Sequence, residues 1–259
     1  MILLEIKNLY VSLPERSNKI LGKKTTIPVV KNLNFSIKEG ETLGLVGESG
    51  SGKSTTGRAI LKLIPAKGEI IFEGRNLNLI SDLEMQKTRK NIQMIFQDPH
   101  SALNPKMSVA RILSEPFDIH LKLTKTEKIE RVAQLLVDVG LPVDAMYRYP
   151  HEFSGGQKQR IGIARALALN PKLIIADEPV SALDVSIQAQ ILNLISDLKK
   201  KYSLGILFIA HDLAVVEHIS DRVAVMKSGE IVEIENRQDL YKNPKHPYTR
   251  KLLEAIPHL

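Results

Sequence analysis

The sequence of 259 residues contains no cysteine. The chain therefore has no disulfide framework, no thiolate nucleophile and no cysteine-ligated metal centre. It also lacks any apolar run that approaches the ~20 residues a membrane-spanning helix requires. Glu5 and Lys7 interrupt the apolar N-terminus, so we expect no signal peptide. These absences predict a cytoplasmic protein.

Motifs that read nucleic acid are also missing, although the formal net charge is +7. A basic excess of this size favours nucleotides, nucleic acid or an anionic membrane face. The densest basic run, 199–201, falls near the end of a predicted helix, where lysines complement the helix dipole. We therefore expect no nucleic-acid partner. The length predicts one large domain, or a domain with a substantial insertion.

One stretch carries a specific chemical signal. Residues 44–56 read GLVGESGSGKSTT and match the pattern G-x-x-x-x-G-K-[ST]. Its glycines let the backbone curl around a triphosphate with the N–H groups turned inward. Lys53 supplies a point charge for the β- and γ-phosphates, and Ser54 offers a hydroxyl to Mg²⁺. A Gly/Ser-rich turn is the alternative, but the flanking strand and helix favour a phosphate loop. Its predicted nucleotide-binding residues are Gly47, Glu48, Ser49, Gly50, Ser51, Gly52, Lys53, Ser54 and Thr55.

Strand and helix patterns alternate on both sides of a helical stretch, which predicts an α/β fold with a mainly parallel sheet. Strands are predicted at 2–13, 33–37, 42–46, 69–73, 92–96, 173–176, 205–210, 222–226 and 230–234, with an exposed loop at 14–28. Helices are predicted at 53–64, 126–139, 186–202, from the segment at 154–157 to about 169, and at the C-terminus. Between 99 and 153 strand signals vanish. One face of the helix predicted there is marked by the apolar residues Ile129, Val132, Leu135, Leu136 and Val139.

Two carboxylates follow the apolar strand at 173–176. Ligands bind beyond the carboxyl ends of strands in an open parallel sheet, so this edge is a candidate site. Asp177 would hold Mg²⁺ directly or through water, and Glu178 would polarise an attacking water. Gln97 and His211 also end predicted strands, so either could reach the γ-phosphate. A solvated strand end and a structural histidine are the alternatives.

A second anion site is predicted at Ser154-Gly-Gly-Gln157, just before a helix. Ser154 and Gln157 have capping-box spacing, so plain helix capping is one interpretation. Two glycines at a helix N-terminus also suit a phosphate. Two phosphate-binding surfaces far apart in sequence suggest a nucleotide that is shared between two chains.

Taken in order, these features resemble the ATP-binding subunits of ABC transporters. The set comprises the phosphate loop, Gln97, the signature Ser154–Gln157, Asp177-Glu178, the loop at 181–184 and a switch at His211. Stretches at 97–105, 178–188 and 246–249 are similar to ones typical of oligopeptide, dipeptide and nickel importers. The polar insert at 14–28 resembles the second of the two ATPases that such importers pair.

The resemblance implies a P-loop NTPase fold of ABC type, with a mainly parallel core sheet, an antiparallel β part and a helical subdomain insertion. It implies a single ABC ATPase domain over 1–259. Within it, 1–97 and 154–235 form the nucleotide-binding core, about 98–153 the helical insertion, and 236–259 a tail of the peptide-importer type.

The implied mechanism is closure of two ATPase subunits, head to tail, over two ATP molecules. Each ATP would lie between the phosphate loop of one chain and the signature of the other. The implied catalytic residues are Lys53, Gln97, Glu178 and His211, and the implied Mg²⁺ ligands are Ser54, Gln97 and Asp177. Ser154, Gly155, Gly156, Gln157 and Asp184 would join the phosphate loop in binding ATP. The family usually stacks an aromatic residue on adenine near the end of the first strand, but Leu13 falls there and Tyr10 is three residues earlier.

The resemblance also implies partners. These are a second ATPase subunit (identical or homologous), two transmembrane permease subunits and, indirectly, an extracytoplasmic solute-binding protein. The chain would lie at the cytoplasmic face of the membrane. We expect uptake of oligopeptides or dipeptides, with nickel or another small solute as the alternative. A soluble ABC ATPase acting on ribosomes or DNA is less favoured, since those usually join two ATPase halves or insert a long coiled coil.

Overall fold

A computed structural model describes residues 1–14, 26–98 and 102–255. The contacts divide the chain into two compact units. The first unit comprises Met1–Met85 and Leu207–Leu259, and the second comprises Gln86–Ile206.

The described strands and helices are as follows. The strands are β1 (Ile2–Pro14), β2 (Thr26–Lys38), β3 (Thr42–Val46), β4 (Lys67–Phe72), β5 (Arg75–Asn76), β6 (Ile92–Ile95), β7 (Leu173–Asp177), β8 (Gly205–Ala210), β9 (Arg222–Lys227) and β10 (Glu230–Asn236). The helices are α1 (Lys53–Ile60), α2 (Asp82–Arg89), α3 (Val109–His120), α4 (Lys125–Asp138), α5 (Gly155–Leu167), α6 (Val185–Tyr202), α7 (Leu213–Ile219), α8 (Arg237–Lys242) and α9 (Pro247–Glu254). Two 3₁₀ turns lie at Val143–Tyr147 and Pro150–Glu152.

The first unit contains an antiparallel sheet with the strand order β2-β1-β4-β5. The long pair β1 and β2 places Ile6 opposite Phe35 and Leu9 opposite Leu33. All four of these side chains are buried. This sheet is the antiparallel β part that the family resemblance implies.

Parallel strand pairs occur in each unit. In the first, β3 pairs parallel with β9, and β9 pairs antiparallel with β10. In the second, β6 pairs parallel with β7. Every residue of β3 and β7 is buried, as expected for apolar strands of a parallel sheet. The fold is therefore α/β, with a mixed, mostly parallel sheet and an antiparallel sheet, which confirms the predicted class.

Helices supply much of the core of the second unit. The buried side chains of α3 are Val109, Ile112, Leu113 and Phe117, and those of α4 are Val132, Leu135 and Leu136. No strand occurs in residues 102–153, as the helical pattern predicts. Ile129, the first residue of the predicted apolar face, is 45% exposed, whereas Val132, Leu135, Leu136 and Val139 of that face are buried. The domain boundaries proposed from the sequence stay a prediction.

Several element boundaries differ from the sequence prediction. Helix α1 ends at Ile60, four residues early, because Lys62 adopts a left-handed φ of 53° that stops the helix. Strand β2 begins at Thr26, so the end of the predicted loop is strand. Pro28 is tolerated there because β2 is an edge strand of its sheet. The rest of that loop (15–25), residues 99–101 and residues 256–259 lie outside the described residues. The elements β5, α2, α7 and α8 were not predicted.

No helix within the described ranges is both long and apolar enough to cross a membrane.

Asp138, the last residue of α4, connects α4 to the end of α6 in the second unit. Its carboxylate accepts hydrogen bonds from Lys201 Nζ at 2.6 Å, from Gln134 Nε2 at 2.7 Å and from the Tyr202 hydroxyl. The side chain is 1% exposed. Burial raises the pKa of Asp138, but these donors outweigh it and hold the pKa below its ordinary value. The carboxylate therefore stabilises the fold above its unfolded pKa, and this contribution is lost as the pH falls through the lower native value.

We predict that Asp138→Asn lowers the free energy of unfolding by about 2 kcal/mol at pH 7, since the buried donors lose a charged acceptor. The matched control is Asp118→Asn, which removes an exposed carboxylate paired with Lys128 and should cost under about 1 kcal/mol. Denaturant unfolding compares the two variants, and hydrogen exchange in α4 and α6 localises the effect. Equal losses for both variants would contradict this role of Asp138.

Candidate nucleotide-binding site

The phosphate loop of the first unit connects β3 to α1 and closes around a buried ammonium group. Lys53 Nζ donates to the carbonyl oxygen of Gly47 at 2.7 Å and to that of Glu48 at 2.9 Å. The lysine is only 4% exposed. A buried ammonium requires such partners, because its transfer out of water is costly. Lys53 is thus fixed against the turn that it is predicted to serve.

Each of the three glycines of the loop is favoured at its position for its own physical reason. A Cβ at Gly47 would lie 2.1 Å from the Met226 carbonyl oxygen, and one at Gly52 would lie 2.8 Å from the Val29 carbonyl oxygen. Both positions therefore exclude side chains because neighbouring strands pack against the loop. Gly50 is exposed and has φ 81°, with open space where a Cβ would be. The left-handed backbone conformation favours glycine there.

The start of α1 suits an anion. Its N-cap residue, Gly52, has no side chain that could cap the helix, and the first turn contains no acidic residue. The helix therefore presents the positive end of its dipole without a carboxylate to neutralise it. Ser51 Oγ is buried and has no hydrogen-bond partner among the described residues. Ser54 and Thr55, both half-buried, occupy the first turn. These features fit a bound phosphate.

His211 directly follows β8 in the first unit and is exposed. The next residue, Asp212, caps α7 by accepting a hydrogen bond from the Ala214 N–H at 2.8 Å. His211 therefore lies in a short, capped turn at a strand end, as predicted from the sequence.

In the second unit, strand register brings two predicted site residues together. Ile95 of β6 lies opposite Ala176 of β7 in the parallel pair. Gln97 and Glu178 each come two residues later, and Gln97 Nε2 donates to Glu178 Oε2 at 2.9 Å. The sequence predicted both at this edge of the sheet, and the contact between them is a finding of the structure.

Glu178 has an unusual backbone. Its φ is 46°, in the left-handed region that non-glycine residues seldom adopt. Its carbonyl oxygen accepts hydrogen bonds from the Ser181 N–H at 3.3 Å and the Ser181 hydroxyl at 3.1 Å. Such strain is of order 1–3 kcal/mol and persists where the surroundings enforce it, often at functional sites. The Ser181 hydrogen bonds therefore hold the turn that directly follows β7.

The residues present also fit magnesium. Asp177 is 2% exposed and contributes a carboxylate at the end of β7. The Gln97 amide nitrogen is bound to Glu178, so the Gln97 amide oxygen is the atom that could reach a cation. Within the described ranges no group of three or more His, Asp or Glu side chains could hold a metal ion. Mg²⁺ is usually bound through one or two carboxylates together with waters and substrate phosphates, so the Asp177 carboxylate suits it.

The signature of the second unit forms the predicted capping box at the start of α5. Ser154 Oγ accepts from the Gln157 N–H at 3.4 Å, and Gln157 Oε1 accepts from the Ser154 N–H at 3.0 Å. A Cβ at Gly156 would lie 2.6 Å from Ile187 Cγ2 of α6. One at Gly155 would make ordinary contact, 3.5 Å from Leu183. Packing against Ile187 therefore requires a glycine at position 156, whereas packing does not require one at position 155.

Asp184 lies at the N-cap position of α6 and is exposed, but its side chain makes no cap hydrogen bond. The structure therefore pairs Gln97 with Glu178 and packs the signature against the start of α6 as a separate group.

The two residues considered for stacking on adenine both lie on β1. Tyr10 is 45% exposed, and Leu13 is half-buried.

One residue at the phosphate loop was missed as a site residue. The Tyr248 hydroxyl accepts a hydrogen bond from the Glu48 N–H at 3.2 Å. Tyr248 belongs to the stretch 246–249 that carried the family resemblance, but nothing in the sequence pairs it with a residue 200 positions away.

Family comparisons agree with this geometry. Residues 30–181 match the ABC transporter family, and residues 232–259 match the oligopeptide/dipeptide transporter C-terminal region. The chain belongs to the ABC transporter family and is an ATPase of that family, which binds ATP. Its C-terminal region is of the type found in oligopeptide and dipeptide transporters.

The chain resembles several known proteins over nearly its whole length. It is 54% identical over 258 residues to the oligopeptide transport ATP-binding protein OppF of Bacillus subtilis (strain 168), covering 98% of this chain and 82% of OppF. It is 53% identical over 255 residues to the glutathione import ATP-binding protein GsiA of Escherichia coli (strain K12), covering 98% of this chain and 41% of GsiA. The dimeric, post-hydrolysis ATP-binding cassette MJ0796 bound to ADP and Pi matches with a TM-score of 0.79 and 30% identity, covering 91% and 99% of the two chains. The predicted family is confirmed.

We predict that Lys53→Ala weakens ATP binding or lowers turnover by about 100-fold, since it removes a preorganised charge aimed at the phosphates. Arg58→Ala, which changes an exposed residue of the same helix, is the matched control and should leave both unchanged. Equilibrium binding of a fluorescent ATP analogue and steady-state ATPase rates measure the two effects. Unaffected binding and turnover in Lys53→Ala would contradict the assignment of the phosphate loop.

Proposed function

We propose that this chain is an ATPase subunit of an ABC importer that takes up oligopeptides or dipeptides. The observation that carries the proposal is that one chain contains two helix starts whose geometry suits a phosphate. One is the phosphate loop of the first unit, and the other is the capped, glycine-containing signature of the second. A dimeric cassette with the same fold supports a shared arrangement in which each surface serves a different nucleotide.

In this proposal two ATPase subunits close head to tail over two ATP molecules. The phosphate loop and Lys53 bind the phosphates in one chain. Ser154, Gly155, Gly156 and Gln157 of the other chain complete the site, and Asp184 contributes near the same nucleotide. Phosphoryl transfer to water then depends on positioning and charge neutralisation more than on covalent chemistry.

Each catalytic residue has a separate part in this proposal. Glu178 polarises the attacking water, and its Oε2 accepts a hydrogen bond from Gln97 Nε2 at 2.9 Å. His211 stabilises charge that develops on the γ-phosphate. Ser54, Gln97 and Asp177 would hold Mg²⁺, which supplies charge neutralisation and orientation of the phosphates.

Closure of the ATPase pair would drive two permease subunits from an inward-facing to an outward-facing state, and hydrolysis would reset them. A solute-binding protein outside the membrane would deliver the solute, so it would contact the ATPases only indirectly. The chain would then lie at the cytoplasmic face of the membrane through its permeases.

The class of solute is inferred from the relatives. OppF is an oligopeptide transport protein, and GsiA imports glutathione, which is itself a tripeptide. The matched C-terminal region is that of oligopeptide and dipeptide transporters.

Affinity purification of the tagged chain from membranes should recover two permeases and a second ATPase. Cells that lack the gene should lose uptake of a labelled tripeptide, and wild type but not Lys53→Ala should restore it. Normal peptide uptake without the gene, where no second ATPase replaces it, would overturn the assignment.

We predict that Glu178→Gln keeps ATP affinity within about 3-fold of wild type but lowers turnover by at least about 100-fold, since the amide cannot accept a proton from water. The variant should accumulate as an ATP-bound dimer in size-exclusion chromatography. Glu130→Gln, an exposed position on α4, is the control and should turn over normally and remain unchanged in elution. Wild-type turnover in Glu178→Gln would exclude Glu178 as the base.

A further inference from the structure

Tyr248 contacts the backbone of the phosphate loop. It is the second residue of α9, is 6% exposed, and accepts a hydrogen bond from the Glu48 N–H at 3.2 Å. Glu48 is the second residue of the phosphate loop. A C-terminal helix therefore reaches the loop that is expected to hold ATP.

The contact acts on the same peptide group that holds Lys53. The Gly47 carbonyl and the Glu48 N–H belong to one planar peptide unit. Its oxygen accepts from Lys53 Nζ at 2.7 Å, and its nitrogen donates to Tyr248. A rotation of this plane would move both partners, and hydrogen bonds in series polarise one another. The orientation of Lys53 is therefore coupled to the tyrosine hydroxyl.

Tyr248 is itself firmly placed within the first unit. The Lys227 ammonium, at the end of β9, lies 4.7 Å from the centre of its ring. Its backbone N–H donates to His246 Nδ1 at 3.1 Å, which caps the start of α9. The Lys227 ammonium therefore holds the ring of Tyr248, and the capping hydrogen bond holds its backbone.

The segment before α9 is attached to β10 through one carboxylate. Glu233 accepts from the Lys245 N–H at 2.8 Å and from the His246 N–H at 3.0 Å. Burial raises the pKa of Glu233, but donated hydrogen bonds, these two among them, hold the pKa below its ordinary value. The carboxylate is therefore ionised at neutral pH. Because β10 pairs with β9 and β9 with β3, the strand that holds the segment before α9 and the strand that leads into the phosphate loop belong to the same sheet.

We propose that Tyr248 is a positioning residue for the nucleotide. It fixes the Gly47–Glu48 peptide and, through it, the Lys53 ammonium, so the C-terminal helix sets the ATP affinity of its own chain. This inference rests on the proposed role of the phosphate loop. Since one hydrogen bond to a backbone N–H contributes modestly, its loss should weaken ATP binding by about 3- to 10-fold.

The test variant is Tyr248→Phe in the full chain, which removes the hydroxyl and keeps the ring over which Lys227 lies. The matched control is Tyr241→Phe, which removes a hydroxyl that donates to the Leu213 carbonyl in α7. Five quantities are compared with wild type: the Kd of a fluorescent ATP analogue, KM and kcat for ATP, the thermal midpoint, and hydrogen exchange of a peptide containing Glu48.

Tyr248→Phe should raise Kd and KM about 3- to 10-fold and speed exchange at Glu48, with a thermal midpoint no lower than that of the control. Tyr241→Phe should leave Kd, KM and exchange at Glu48 unchanged. Tyr248→Phe with Kd within 2-fold of wild type, or an equal rise in both variants, would overturn the inference. Lys53→Ala distinguishes failure of the site from failure of this inference. If Lys53→Ala leaves both ATP binding and turnover normal, the proposed site itself fails, whereas if only Tyr248→Phe binds normally, this inference alone fails.

Discussion

A buried ammonium in a closed turn is the interaction on which the rest of the site depends. Lys53 is 4% exposed and is held by the carbonyl oxygens of Gly47 and Glu48. The turn can curl this tightly because Gly47 and Gly52 leave room for strands that pack beneath it. The anion-binding start of α1 then follows with no acidic residue in its first turn. The buried charge of Lys53, the packing at Gly47 and Gly52, and the dipole of α1 thus all favour an anion at the same loop.

A second constraint is strand register in the other unit. The parallel pairing of β6 with β7 sets Gln97 opposite Glu178, so a slip of one residue would separate them and reverse the faces of the strand. The left-handed backbone at Glu178 adds a sharp turn just where the strand ends. The hydrophobic core of this unit therefore determines where Gln97 and Glu178 meet, because it fixes the register of two buried strands.

The sequence was most informative where the structural cause is local. The phosphate loop, the buried strands β3 and β7, and the capping box at Ser154 and Gln157 each depend on residues within a few positions of one another. Their types and spacing therefore sufficed. Element ends were predicted less well, since the stop of α1 depends on a left-handed lysine and the start of β2 on pairing with β1. Neither is encoded by periodicity.

Contacts between distant segments could not be predicted. No pattern links Tyr248 to Glu48, because the hydrogen bond arises from how α9 is attached to β10. Nor does the sequence distinguish Gly47, which must admit a carbonyl oxygen of β9, from Gly50, which needs only its backbone conformation. The roles assigned to individual residues in ATP hydrolysis stay predictions, because the proposed site includes residues of two chains.

Because the chain has no cysteine, two introduced thiols can test the shared site without interference. Ser49 of the phosphate loop and Ser154 of the signature are both exposed. The measurement is cross-linking of the double variant Ser49→Cys/Ser154→Cys with a short bis-maleimide, with ATP or with no nucleotide, followed by denaturing electrophoresis. We predict a covalent dimer that forms mainly with ATP and joins the loop cysteine of one chain to the signature cysteine of the other. Cross-links confined to single chains, or no ATP-dependent dimer, would contradict it.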